Sequence, residues 1–123
     1  MPAVPNSVPQ ARHAAARLAS EVGADELDVK IAISEAVGNV VVHAYREGDP
    51  GNVELEGSIV DGKLVIAVTD QGVGMSPHPD SPGLGFGLPL IGNVTDDLHV
   101  EANGRGTRVS MTFALDELEL KAA

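Results

Sequence analysis

Three polar side chains interrupt the most apolar stretch of the chain, ISEAVGNVVVHAYR, at steps of four: Glu35, Asn39 and His43. On a helix, four residues advance about 6 Å with an offset of about 40°, so a carboxylate, an amide and an imidazole form a shallow ridge. Ile31, Ile33, Ala36, Val37, Val40, Val41 and Val42 surround them. One alternative is that this face points to water, as a narrow solvated stripe. The other is burial, which obliges each polar group to find a partner, and a ligand is one candidate.

A second candidate lies in VTDQGVGM. Asp70 is in phase with Leu64, Ile66 and Val68, so its carboxylate faces inward, where it needs a donor. An ionised Asp only accepts, and it suits an exocyclic amino group such as that of adenine. Gly72 and Gly74 permit a sharp turn and the close approach of a flat ring. Read in isolation, the same residues make an ordinary strand-to-loop turn. A third candidate is GLGFGL, where Gly83, Gly85 and Gly87 lead into a helix. Such backbone offers unpaired N–H groups to phosphate oxygens. Its G-x-G-x-G spacing after a Pro-rich loop is not the dinucleotide fingerprint, and the Gly-Lys-Ser/Thr ending of a Walker A loop is absent.

The elements that must position these groups follow from pattern. SVPQARHAAARLASEVG predicts a first helix, with Ser7 as N-cap and Gly23 closing it. Asp25 is placed to cap a second helix, which carries the ridge and stops near REGDPG. Val53, Leu55, Gly57 and Ile59 then alternate with polar residues, Asp61-Gly62 makes a two-residue hairpin turn, and Leu64, Ile66 and Val68 resume the alternation. The three prolines of SPHPDSPG exclude a regular element there. A short helix over residues 88–94 follows, and LHVEA and TRVSMTF form a second hairpin across Asn103-Gly104. The sum is an α+β two-layer sandwich, with helices packed on one face of a mostly antiparallel sheet.

Composition sets the outer limits. The 123 residues, 43% of them hydrophobic, fit one domain over residues 1–123, with its core at about 10–113 and an acidic tail at 114–123 that is expected to fray. Aromatics are only 2%, so the core is aliphatic. A net charge of −10 argues against sequence-independent binding to nucleic acid or anionic lipid. With no cysteine, disulfides, thiolate catalysis and Cys-ligated zinc are excluded. MPAVPNSVPQ has no secretion pattern and no segment is apolar enough to span a bilayer, which makes a cytoplasmic protein the expectation.

Taken together and in this order, the motifs resemble the GHKL superfamily of ATPases, which share the Bergerat ATP-binding fold. EAVGNVVVHAY is similar to its N box, DQGVG to its first glycine box, GLGFGL to its second and GRGTRVSM to its threonine-bearing strand. The form of the N box, the short lid and the single small domain resemble the bacterial anti-sigma-factor serine kinases most. The resemblance implies ATP (and ADP) and Mg²⁺ as ligands. Asn39 would hold the metal and Glu35 would serve as base. Asp70 would receive the adenine amino group, with Thr107 in support. Gly72, Gly74, Gly83, Gly85, Phe86, Gly87 and Leu88 would line the nucleotide. The ridge agrees with these roles, because Mg²⁺ takes only one or two protein ligands beside phosphates and water. For His43 two readings stand: a histidine packed in the helix and bonded to backbone, or a nucleotide contact.

The resemblance further implies phosphorylation of a STAS-type anti-sigma-factor antagonist on serine, sequestration of a sigma factor, and a homodimer, with no direct contact to nucleic acid or membrane. A non-catalytic, ATP-dependent partner-binding module of the same fold is the alternative. Two features depart from the pattern. No Lys or Arg occurs from Leu64 through Gly104, so Mg²⁺, backbone amides and His78 must neutralise the triphosphate unless Arg105 reaches across. Residues 1–7 contain two prolines and offer only a short edge strand to a dimer.

Overall fold

Both leading helices are delimited by local chemistry. The computed structural model describes residues 1–45, 51–72, 87–103 and 105–115. Helix α1 (Ser7–Val22) ends where Gly23 turns left-handed (φ 86°) and its amide closes on the Ala19 carbonyl. Its beginning departs from expectation. Asn6, not Ser7, is the N-cap, and it makes no side-chain cap bond. The Ser7 and Val8 amides are taken instead by the Val4 and Pro5 carbonyls of the preceding turn. Ser7 is buried and its hydroxyl donates to the Pro2 carbonyl.

Helix α2 (Glu26–Asn39) starts as expected, with the Asp25 side chain accepting from the Asp28 amide at 2.9 Å. Ala11, Ala15 and Ala19 line the buried face of α1, and their small size lets it pack closely against α2, whose Val29, Ile33 and Val37 are buried in the same core. Beyond Asn39 the helix widens into a π turn, Val40–Ala44, and Tyr45 leaves it in extended conformation.

Four strands follow: β1 (Val53–Val60), β2 (Lys63–Asp70), β3 (Asp97–Asn103) and β4 (Gly106–Phe113), with helix α3 (Gly87–Val94) between β2 and β3. All pairings are antiparallel, in the order β1-β2-β4-β3. Positive φ at Asp61 and Gly62 makes the tight turn that the sequence predicts.

One face of the sheet (Val53, Leu64, Ile66, Val68, Val109, Met111, Phe113) joins the helices and Ile91 of α3 in a single aliphatic core. The other face carries polar pairs: Arg108 reaches Thr69 Oγ1 at 3.2 Å and Glu56 at 3.7 Å, and His99 meets Glu101 at 3.1 Å. Such exposed pairs add little stability.

The N-terminal segment makes the short edge pairing expected of it. Pro2 bridges Asn52, the Val53 amide donates to the Met1 carbonyl, and the Ala3 amide donates to Gly51. At the other terminus Leu115 bridges Ala24, so the chain stays docked for two residues past β4. The rest of the tail, residues 116–123, lies outside the described residues. No helix among the described residues is long and apolar enough to cross a membrane.

Candidate functional site

The ridge is real as far as Asn39. Glu35 and Asn39 occupy the last two turns of α2 and are half-buried, between the wholly buried Ile33, Ala36, Val37 and Val40. At Val40 the hydrogen-bonded ring widens from i→i+4 to i→i+5, so the four-step alignment stops there. His43 is exposed and is not the packed histidine of the first reading.

Opposite this helix, the end of β2 places a buried carboxylate. Asp70 pairs with Val53 on one side and Thr107 on the other, and its alternation with Leu64, Ile66 and Val68 turns it toward the core face. It is 2% exposed, and Thr107 beside it is buried too. Oδ1 accepts from the Gly72 amide at 2.8 Å, whereas Oδ2 is buried with no hydrogen-bond partner among the described residues. Burial pushes the Asp70 carboxyl above its ordinary value, and the Gly72 and Thr107 amides pull in the opposite direction. An acceptor that is already desolvated and still lacks a donor fits the exocyclic amino group of adenine.

Two glycines make this corner sterically possible. A Cβ on Gly72 would collide with the Ala44 carbonyl, and one on Gly106 (φ 148°) would collide with the Asp70 carbonyl. Gly106 carries no role in the sequence reading, and its only signal there is position, one residue before Thr107.

Gly87 and Leu88 open α3, which packs against α2 and so brings the end of the second glycine motif to the helix that bears Glu35 and Asn39. Gly74, His78, Gly83, Gly85 and Phe86 lie outside the described residues. Arg105 is exposed and, with Gln71, Glu101 and Thr107, lines a shallow groove of about 270 Å³ at the Asp70 end of the sheet. Among the described residues no three His, Asp or Glu side chains gather into a metal site. Asn39, on the last turn of α2, carries an amide oxygen, a donor of the kind that a divalent cation arriving with phosphates accepts.

Tyr45 is the residue that sequence reasoning includes in a motif without giving it work. Its hydroxyl donates to the Asn52 carbonyl at 2.6 Å and accepts from the amides of Asn52 (3.2 Å) and Gln71 (3.0 Å). The signal available was that it is the one tyrosine of the chain, next to an apolar run.

Comparison with known proteins gives the family and the fold. The sequence profile of histidine kinase-like ATPase domains matches residues 1–113. An anti-sigma F factor from Clostridium botulinum is 38% identical over 100 residues, covering 71% of this chain and 70% of that protein. The serine-protein kinase RsbW of Bacillus licheniformis is 33% identical over 133 residues, covering 94% of this chain and 82% of that protein. Among solved structures, the histidine kinase domain of the blue-light activated histidine kinase EL346 from Erythrobacter litoralis superposes with a TM-score of 0.64 at 26% identity. That match covers 77% of this chain, which spans 46% of the larger structure.

Proposed function

The chain belongs to the histidine kinase-like ATPase family, and we propose that it is an ATP-dependent protein serine kinase that also acts as an anti-sigma factor. The observation that carries the nucleotide half of this reading is Asp70 Oδ2, a buried acceptor without a donor among the described residues. The relatives named for sigma-factor antagonism and serine kinase activity supply the protein half.

The residues divide the work by position. Asp70, supported by Thr107, accepts a hydrogen bond from the adenine amino group, and His43 and the glycine motifs contact the rest of the nucleotide. Asn39 holds Mg²⁺ through its amide oxygen. When bound, Mg²⁺ offsets the charge of the phosphates, and the protein chiefly positions groups around them. Glu35, one helical turn before Asn39, accepts the proton of a serine hydroxyl on the antagonist as its oxygen bonds to the γ-phosphorus. The bond from that phosphorus to the β,γ-bridging oxygen breaks, and ADP leaves. The substrate is a STAS-type anti-sigma-factor antagonist. The sequestered partner is a sigma factor, the assembly is a homodimer, and the compartment is the bacterial cytoplasm.

Incubation with γ-labelled ATP and a STAS-type antagonist tests this directly. Label is expected on a serine of the antagonist, with ADP as co-product. The absence of Lys and Arg from Leu64 through Gly104 favours one second reading, a non-catalytic module that binds its partner only with ATP. An ATP-dependent complex with the sigma factor, without any labelled antagonist, would decide for that module.

A further inference from the structure

We propose that Tyr45 is the positioning residue of the adenine end, its hydroxyl setting the turn that aims the Asp70 carboxylate. The inference rests on Asp70 as the adenine acceptor. The regular β1–β2 ladder ends at the pair Val53–Asp70, and one more step would oppose Asn52 to Gln71. The phenol oxygen stands in that place instead. A hydroxyl has one donor and two acceptor sites, and all three are used on the two strands: Asn52 carbonyl, Asn52 amide and Gln71 amide. The ladder is thereby satisfied at its end while the chain after Asp70 is released from β1.

What happens to the released chain depends on the same short segment. Gly72, next after Gln71, lies so close to the Ala44 carbonyl that no side chain fits between them. Ala44 and Tyr45 thus grip Gln71 and Gly72 at two consecutive positions. The Gly72 amide in turn donates to Asp70 Oδ1 at 2.8 Å and so selects which oxygen is left over. The ring itself is held from behind, since a Cβ on Gly51 would fall onto it. Tyr45 directly follows the π turn that continues α2 from Asn39. One continuous stretch of backbone therefore carries the proposed metal ligand and sets the direction of the base-recognising carboxylate.

Tyr45→Phe removes the hydroxyl and keeps the ring. ATP affinity, measured by calorimetry on the full chain, should fall roughly tenfold, the scale of one disrupted hydrogen-bond network. The preference for ATP over GTP should fall in the same proportion, because GTP lacks the 6-amino donor that Asp70 is aimed at. The phosphate-transfer rate at saturating ATP should hold, because Glu35 and Asn39 precede the π turn. Equal losses for ATP and GTP, or losses that track the folded fraction in urea, would make Tyr45 scaffold only and overturn the inference.

Asp70→Asn in parallel separates the two ideas. If it leaves the ATP preference intact, the adenine reading itself fails. If it abolishes that preference while Tyr45→Phe does not, Asp70 stands and the positioning role falls. As the chain holds one tyrosine, 3-fluorotyrosine labels this site without any mutation. Its ¹⁹F resonance should move on addition of ADP, and a resonance that stays in place while ADP binds would overturn the proposal even if Tyr45→Phe does not fold.

Discussion

Asp70 is 2% exposed, with one oxygen tied to the Gly72 amide and the other lacking a partner among the described residues. Glu35 and Asn39, across the same proposed site, are half-buried on a regular helix. A desolvated acceptor is unfavourable until a donor arrives, so it discriminates between ligands that carry one and ligands that do not. Half-open side chains discriminate less, but they can meet a metal, a phosphate and a protein hydroxyl in turn. In the proposed function, recognition of the base therefore concentrates at the end of β2, and transfer chemistry concentrates on α2.

Changes on the α2 side should affect transfer most. Glu35→Gln keeps size and hydrogen bonding but loses basicity. Phosphate transfer to the antagonist should drop roughly 10²–10⁴-fold, the range for a positioned general base, with ATP binding nearly intact. Loss of ATP binding in calorimetry would erase the contrast between the two regions.

On the β2 side the effect should appear in affinity. Asp70→Asn presents donors as well as an acceptor and should weaken ATP binding by about 1–3 kcal/mol. Unchanged affinity in the folded variant would move the base elsewhere. Asn39→Ala sharpens the division further. Binding of Mg·ATP should weaken about tenfold, about 1.4 kcal/mol, while metal-free ATP binding barely changes. Equal loss of both would show that Asn39 only supports the helix.

The smallest effect expected is on the nucleotide-free protein. Burial raises the folded-state Asp70 carboxyl above its ordinary value of 3.8. Between that ordinary value and the raised one, the native state binds more protons than the unfolded state, so its contribution to stability declines as pH rises through the window. Asp70→Asn should remove that decline and gain about 1 kcal/mol at neutral pH. Denaturation curves at acid and neutral pH compare the two proteins. An identical pH dependence would mean that the carboxylate is already satisfied without nucleotide.

Much of the fold was legible because its signals are local. Gly23 in the left-handed region, Asp25 on the Asp28 amide and the positive φ pair at Asp61 and Gly62 each follow from a residue and its near neighbours. The inward phase of Asp70 follows from strand alternation alone. The cap of α1 was misplaced for the opposite reason. Ser7 is drawn to the Pro2 carbonyl within a segment that pairs with residues 51–53, distant in sequence, and no local rule contains that pairing.

The sequence by itself determined which residues could do chemistry, the α+β alternation that carries them, and the family to which they are similar. Periodicity and residue type suffice for these because they repeat within a few positions. Only the tertiary structure decided where the ridge ends and how Asp70 is aimed. A π turn at Val40 exposes His43, and the Tyr45 hydroxyl holds Gln71 from 26 residues away. The π turn is a backbone hydrogen-bond pattern and the Tyr45 hydroxyl bonds to backbone groups, and backbone partners carry no signature in side-chain type.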